Sequence, residues 1–278
     1  MMATSDIFRC FVTYNIYIIS RYDRIFVKDD GISKKAIEIF IKTMYNLELV
    51  IFMIKETYKI ALDGPSGSGK STLAKNLAKK YGFVYIDTGA LYRTIGLFVC
   101  EKGIASDDAA AIVSVLPEIK IEMKLENGGG VVYLGNKRIG DEIRTPVISK
   151  YASDVSKIPE VRAFLLETQR SIARENNVIM DGRDIGTVIL PDAQVKMFVT
   201  ASIEARAKRR YAELCEKGVS TTYDEVLADM KWRDANDSNR DIAPAVPAPD
   251  AIMFDNSGLT IEETVLDAMK IIDKVISI

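Results

Sequence analysis

Residues 64–71 have the composition and spacing of a phosphate-binding loop. They spell GPSGSGKS, which fits the pattern G-x-x-x-x-G-K-[ST], and they lie between an apolar segment and a predicted helix. Glycines let the backbone curl until several N–H groups point at one phosphate, and the N-terminus of the next helix adds further donors. We therefore expect Lys70 to reach the β- and γ-phosphates of ATP and Ser71 to supply a hydroxyl to Mg2+.

The triphosphate-binding set predicted from this pattern is Gly64, Pro65, Ser66, Gly67, Ser68, Gly69, Lys70, Ser71 and Thr72. A glycine-rich turn that binds nothing is the structural alternative. Motors, GTPases, helicases and small-molecule kinases all carry such a loop, so it does not name the reaction. The chain has no Asn-Lys-x-Asp segment to recognise guanine, and with 278 residues it is too short for a helicase.

Arginines near the ends of predicted strands indicate that a second anion binds close to the loop. A guanidinium offers a planar fork of donors that holds a phosphate through two hydrogen bonds, which lysine cannot do. An isolated arginine is more often a solvated surface residue. The candidates are Arg93, Arg144, Arg162, Arg183, Arg233 and Arg240.

Composition excludes several other functions. The formal net charge is -2, so there is no overall basic field to attract nucleic acid or an anionic membrane. The chain has no histidine, which excludes Ser-His and Cys-His catalysis and histidine-ligated zinc. Its 3 cysteines are far apart and show no CxxC pairing, as expected for a protein of the reducing cytoplasm.

Short apolar segments that alternate with longer amphipathic ones predict an α/β fold with a mainly parallel sheet of five strands. The predicted strands are 59–63, 83–87, 178–181, 195–200 and 251–255, and the clearest helices are 70–80, 203–217 and 261–276. Residues 118–139 differ, because short extended segments are separated by the turn signals Gly128-Gly129-Gly130 and Gly135-Asn136. These segments predict a small antiparallel insert in the α/β domain.

Five segments in this order resemble the bacterial cytidylate kinases: IALDGPSGSGKST, DTGALYR, EIRT, IMDGRDIGTV and WRDANDSNR. The resemblance runs from about residue 58 to the C-terminus. It implies a three-layer P-loop kinase fold at residues 53–278, with a monophosphate-binding insert at 118–150 and a short helical lid at about 203–240. It also implies transfer of the γ-phosphoryl group of ATP to CMP or dCMP, with Mg2+, and we expect a monomer.

The resemblance implies a role for each of several residues. Arg93, Arg183 and Arg240 would clamp the phosphate of CMP, beside Thr88 and Asp181. Arg233 and Asp237 would contact the ribose. Lys70, Arg183, Arg240 and Arg206 would stabilise the transferring phosphoryl group. The alternatives are an ion pair at the strand end for Arg183 and a capping or packing role for Asp237.

Ser153, Arg162 and Asp184 match the positions of the family that recognise the base. Cytosine presents an amino donor beside two acceptors, so the site needs an acceptor as well as a fixed donor. An ionised Asp184 would face O4 of uracil and repel it, which favours CMP over UMP. No strong general base is needed, because the acceptor is already an ionised phosphate.

Arg206, Arg209 and Arg210 lie on one predicted helix where the lid of the family begins. Spacings of three and four place them on neighbouring faces, so at least one can swing over the ATP phosphates. Spacing does not decide among them, and Arg206 is the candidate that we name. The alternative is a basic, solvated helix that pairs with Glu204 and Glu213.

Two other functions fit the loop less well. Another small-molecule kinase of the same fold would differ in its acceptor. A nucleotide-gated switch would not need an acceptor clamp, so the intact DGRD and RDxxDxxR segments, which contain the arginines, argue against it. A panel of nucleoside monophosphates at fixed ATP and Mg2+ distinguishes these possibilities.

Residues 1–52 lie outside the resemblance and are rich in Ile, Tyr, Phe, Asn and Lys. Their apolar residues follow neither a helical nor a strand period, and charges interrupt the apolar runs before the roughly 18 residues of a membrane span. Our hypothesis is that the working enzyme begins at Met53. The alternative is an appendage whose helix at 33–58 packs on the domain or makes an oligomer contact, and a docked helix would bury Ile37, Ile41 and Leu49.

We expect a chain that begins at Met53 to keep the activity and melting temperature of the full chain, because no part of the predicted domain is lost. Thermal unfolding and turnover of both chains, measured side by side, test this expectation. A clear loss of either property in the shorter chain would show that the appendage belongs to the fold.

Overall fold

The computed structural model describes residues 57–216 and 218–276. The hypothesis on residues 1–52 lies outside the described residues. Of the helices in the described ranges, none combines the length and apolar composition that a bilayer span requires.

The centre of the fold is a parallel sheet of five strands, as predicted. The strands are β1 (Lys59–Asp63), β2 (Val84–Asp87), β6 (Val178–Asp181), β7 (Val195–Thr200) and β8 (Ile252–Asp255), and they lie in the order β2-β6-β1-β7-β8. β1 is central and pairs in parallel with β6 on one side and β7 on the other. Parallel pairing brings the carboxyl ends of these strands to one edge of the sheet.

The predicted antiparallel insert is also confirmed, but it extends the central sheet and does not stand apart from it. It consists of β3 (Ile121–Glu126), β4 (Gly129–Leu134) and β5 (Lys137–Arg138), joined by the two glycine-containing turns. β4 meets β2 through one parallel pair, Tyr85 with Gly129. The sheet therefore has 8 strands, and a sequence that shows only local turn signals does not reveal this junction.

The helices are α1 (Lys70–Tyr81), α2 (Thr88–Glu101), α3 (Ala109–Val115), α4 (Pro146–Val155), α5 (Pro159–Glu175), α6 (Ile203–Glu216), α7 (Tyr223–Ser238) and α8 (Ile261–Ile272). Several helices begin after a residue whose side chain caps the helix N-terminus. Asp87 caps α2, Thr145 caps α4, and capping boxes start α7 and α8. α8 ends earlier than predicted, with turns after Ile272.

Side chains of β1 alternate between two apolar layers. Ile60 and Leu62 pack in the cluster that contains residues of α1 and α8, whereas Ala61 packs with residues of β6 and of the turn after it. All three are fully buried. A third cluster joins α2, α4 and α5 to the insert through residues such as Leu91, Val155, Leu165 and Val132. The strand that ends at the phosphate loop is thus held on both faces.

Asp63, the last residue of β1, ties this strand to the segment that follows β6. Its carboxylate accepts hydrogen bonds from the backbone N–H groups of Ile185 (2.7 Å) and Gly186 (2.8 Å). Those residues open a π-helical turn, Ile185–Ile189. Burial raises the pKa of Asp63 to about 6, while the two backbone donors act in the opposite direction. The link fixes the segment 181–184 beside the phosphate loop.

Candidate active site

The phosphate loop joins β1 to α1 and has the backbone that only glycine accepts easily. Gly64, Gly67 and Gly69 have φ angles of 142°, 74° and 85°. A Cβ atom on Gly64 would lie 2.0 Å from the carbonyl oxygen of Val199 on β7. The loop therefore packs directly against the sheet, and α1 begins at Lys70 with its free N–H groups facing the loop.

Lys70 is buried and lies across the loop. Its Nζ donates to the carbonyl oxygen of Pro65 at 2.7 Å and contacts Oγ of Ser68 at 3.3 Å. Burial, and then the positive charge of Arg183, lower the pKa of Lys70 to about 7. A phosphate beside this amine would stabilise its protonated form and raise the pKa again. The loop is therefore electrostatically suited to bind an anion.

Ser71 lies next to the last residue of β6 and to a tyrosine of β2. Its hydroxyl donates to Asp181 on β6 at 2.7 Å, and the hydroxyl of Tyr85 on β2 donates to the other oxygen of the same carboxylate at 3.1 Å. Burial, and then the charge of Asp87, raise the pKa of Asp181. In the described ranges there is no cluster of three or more acidic, cysteine or histidine side chains around one point.

Two adjoining cavities meet at the loop. One, of about 240 Å³, extends under α4 and α7, and the other, of about 490 Å³, extends along α6. Both are lined by Lys70, Ser71, Arg93 and Arg233. Two ligands that occupy these cavities would therefore face each other across Lys70.

The smaller cavity collects every residue that the sequence predicted for the second substrate. Its lining includes Thr88, Arg93, Ser153, Arg162, Asp181, Arg183, Asp184, Arg233, Asp237 and Arg240. These residues come from α2, α4, α5, β6 and the segment after it, and α7 with its C-terminal extension, so tertiary folding alone brings them together. The larger cavity is lined by residues 66–72 of the predicted loop set; Gly64 and Pro65 form the loop's start outside this lining.

The arginines of the smaller cavity are only partly paired with protein groups. Arg93 donates to Asp87 at 2.8 Å, and Arg183 donates to Asp237 at 2.9 Å. Among the described residues, Nε of Arg93 and Nη2 of Arg240 are buried without a hydrogen-bond partner. Burial lowers the pKa of Arg240, and the negative charges of Asp184 and Asp237 oppose this effect. Buried donors without acceptors are costly, so this cluster suits a bound anion.

Arg162 and Asp184 form a buried ion pair, with Nη2 of the arginine on Oδ2 of the carboxylate. Nη2 of Arg240 lies 3.8 Å from the other oxygen of Asp184. Burial raises the pKa of Asp184, and the nearby arginines act against it. The guanidinium of Arg162 also lies over the ring of Tyr92, 5.7 Å from its centroid.

The arginines of α6 have three different environments. Arg206 is 5% exposed, and it donates to the carbonyl oxygens of Ala201 and Ser66 and to Asp234 on α7. Arg209 is exposed and donates to the side chain and backbone of Asn256. Arg210 pairs with Glu213. Arg209 and Arg210 line the larger cavity, and Arg206 lines neither of the two.

Sequence reasoning missed several residues that hold the site together. Asn256, after β8, is 3% exposed, and its amide donates to the carbonyl oxygen of Ser68 while its oxygen accepts from Arg209. Ser156 accepts from Arg240. Asp63 is the last residue of its strand, which is the signal that could have identified it, whereas Tyr85 lies within β2. Nothing in the local sequence marks Asn256 or Ser156, since their partners are distant in the chain.

Comparison with known proteins gives a consistent picture. The family model described as "Cytidylate kinase" matches residues 60–274. The cytidylate kinase of Caldanaerobacter subterraneus subsp. tengcongensis is 52% identical over 213 residues, which are 77% of this chain and 93% of that protein. That of Caldicellulosiruptor saccharolyticus is 49% identical over 78% of this chain and 96% of that protein. That of Thermosipho melanesiensis is 49% identical over 77% and 96%.

We expect Arg206→Ala to lower the free energy of unfolding by about 2–4 kcal/mol, because it leaves Asp234 without its buried partner. Arg210→Ala on the same helix is the matched control. It breaks a partly exposed pair and should change stability by less than about 1 kcal/mol. Urea unfolding of both variants makes the comparison. Wild-type stability in Arg206→Ala, together with a large loss of turnover, would support the catalytic role predicted from the sequence instead.

Proposed function

The chain belongs to the cytidylate kinase family, and we propose that its cleft transfers the γ-phosphoryl group of ATP to CMP or dCMP, giving ADP and CDP or dCDP. The observation that carries this proposal is the joint lining of one cavity by all the residues predicted for the monophosphate, next to a second cavity at the phosphate loop.

ATP would occupy the larger cavity, with its β- and γ-phosphates on the loop. The backbone N–H groups of residues 66–71 and the N-terminus of α1 supply donors, and Lys70 supplies a positive charge. Lys70 would exchange its contact with Pro65 for the phosphates. Of the arginines on α6, Arg209 and Arg210 line this cavity and can contact ATP without breaking buried pairs.

The phosphate of CMP would lie among Arg93, Arg183 and Arg240. Two of these arginines have buried donors that no group in residues 57–216 or 218–276 satisfies. The pairs of Arg93 with Asp87 and of Arg183 with Asp237 hold their guanidinium groups in place before the ligand arrives. A cluster of fixed cations also screens the repulsion between the acceptor phosphate and the ATP phosphates.

The base would lie near Ser153, Arg162 and Asp184, and the ribose near Arg233 and Asp237. The carboxylate of Asp184 accepts from Arg162, and its remaining lone pairs can accept from the amino group of cytosine. Uracil carries an oxygen at that position, which a carboxylate repels. The base site therefore favours cytosine.

Ser71 and Asp181 would hold Mg2+. Both offer oxygen ligands, which this ion prefers, and their oxygens are 2.7 Å apart at the edge of the phosphate loop. The rest of its coordination would come from phosphate oxygens and water. Bound Mg2+ neutralises charge on the phosphates during transfer.

Catalysis by this arrangement depends on positioning and on charge. The acceptor is an ionised phosphate, so no residue needs to remove a proton from it. The cations at the junction of the cavities lie where negative charge develops during transfer. A closing movement of α6 and α7 as a lid, a monomeric state and a cytoplasmic location stay predictions.

The proposal is tested by phosphorylation of CMP, dCMP, UMP and AMP at fixed ATP and Mg2+. We expect CMP or dCMP to give the highest kcat/KM. Lys70→Ala is the control for contaminating kinases, because removal of its charge at the transferring phosphate should abolish turnover while the fold stays intact. Preference for another monophosphate, or wild-type turnover in Lys70→Ala, would contradict the proposal.

We expect Asp184→Asn to narrow the preference for CMP over UMP by on the order of tenfold in kcat/KM, since an amide can donate to O4 of uracil where a carboxylate cannot. Asp237→Asn is the matched control, because it neutralises another carboxylate of the same cavity on the ribose side. An unchanged CMP/UMP ratio in Asp184→Asn would mean that another group recognises the exocyclic position.

A further inference from the structure

Asn236 on α7 contacts a base-site residue on another helix. Its side-chain Nδ2 donates to Oγ of Ser153 on α4, 3.0 Å away. Ser153 lines the smaller cavity, whereas Asn236 does not. We infer that Asn236 is a positioning residue that sets the hydrogen-bonding direction of Ser153 and so contributes to the choice of cytosine over uracil. This inference rests on the proposed function.

The Ser153 hydroxyl can both donate and accept hydrogen bonds. A serine hydroxyl has one O–H donor and two acceptor lone pairs. Because Asn236 donates to Oγ, it fills a lone pair and leaves the hydrogen unused. Within residues 57–216 and 218–276, Oγ of Ser153 donates to no other group. The hydrogen is therefore available to an acceptor inside the cavity.

The two pyrimidines differ at the ring position that such a donor can test. N3 of cytosine is an acceptor, whereas N3 of uracil carries a hydrogen. The Ser153 hydroxyl can donate its hydrogen to N3 of cytosine. Towards N3–H of uracil it can offer only the one lone pair that Asn236 leaves, and its hydrogen then points away from the base without an acceptor. Ser153 would thus discriminate at N3, while Asp184 discriminates at the exocyclic group.

The backbone around Ser153 is held by other contacts, so Asn236 has only the hydroxyl to orient. Oγ of Ser156 donates to the carbonyl oxygen of Ser153 at 2.8 Å and accepts from Nη1 of Arg240 at 3.2 Å. Nη1 of Arg162 contacts the carbonyl oxygen of Ser156 at 3.3 Å. These contacts fix the last turn of α4 without Asn236.

Asn236→Asp inverts the direction of the contact. A carboxylate only accepts, so the hydroxyl of Ser153 turns towards residue 236 and presents lone pairs to the base. We expect the CMP/UMP ratio of kcat/KM to fall on the order of tenfold, the value of one hydrogen bond. Asn239→Asp, which adds the same charge one turn further along the chain, should leave the ratio unchanged. Both monophosphates carry the same charge, so the ratio is insensitive to electrostatic effects on the phosphate.

A double-mutant cycle shows whether Asn236 acts through Ser153. In a Ser153→Ala background, Asn236→Asp should give no further change in the ratio, because the hydroxyl is gone. Asn236→Ala, with unchanged thermal unfolding, should reduce the ratio less than Asn236→Asp does. An unchanged ratio in Asn236→Asp, or an additional fall in the Ser153→Ala background, would overturn the inference. A wild-type enzyme that does not phosphorylate CMP would instead overturn the proposed function.

Discussion

The site depends on the need to pair carboxylates that are buried or largely buried at one edge of the parallel sheet. β1, β2 and β6 end in Asp63, Asp87 and Asp181. Each carboxylate has acquired different partners: backbone N–H groups for Asp63, arginines for Asp87, and two hydroxyl groups for Asp181. An unpaired buried charge is costly, so these contacts determine where the connecting segments lie.

The hydrogen bonds that Asp63 accepts from Ile185 and Gly186 position two parts of the site at once. They connect the strand before the phosphate loop to the turn after the DGRD segment. The phosphate loop and Arg183, which we propose to bind the two phosphates, are thereby held at one edge of the sheet. Transfer of a phosphoryl group requires such alignment, because a small displacement of either substrate raises the barrier.

The arginines of α6 differ in their contacts: one pairs with other parts of the protein, and two line a cavity. Arg206 connects α6 to the phosphate loop and to α7, whereas Arg209 and Arg210 remain at the wall of a cavity. α7 then contributes to three parts of the smaller cavity through Arg233, Asn236 and Asp237. A movement of these helices would therefore change both cavities together.

The sequence alone determined the elements and the chemistry of the loop. Glycine spacing between a strand and a helix specifies a phosphate loop because few other residues tolerate the backbone of Gly64 and Gly67. Alternation of strands and helices likewise predicted the five parallel strands. The ten predicted substrate residues that line the smaller cavity followed from family resemblance, since arginines spread from 93 to 240 carry no local signal of proximity.

Tertiary structure alone decided which charges are free and which groups position them. Arg206, Arg209 and Arg210 are equivalent by spacing, and only the position of Asp234 and Asn256 separates them. Asn236, Asn256 and Ser156 act on partners 47 to 188 positions away in the chain. The direction of a hydrogen bond and the burial of a charged group depend on which residues lie next to them in the folded chain. The residue type alone therefore does not determine either property.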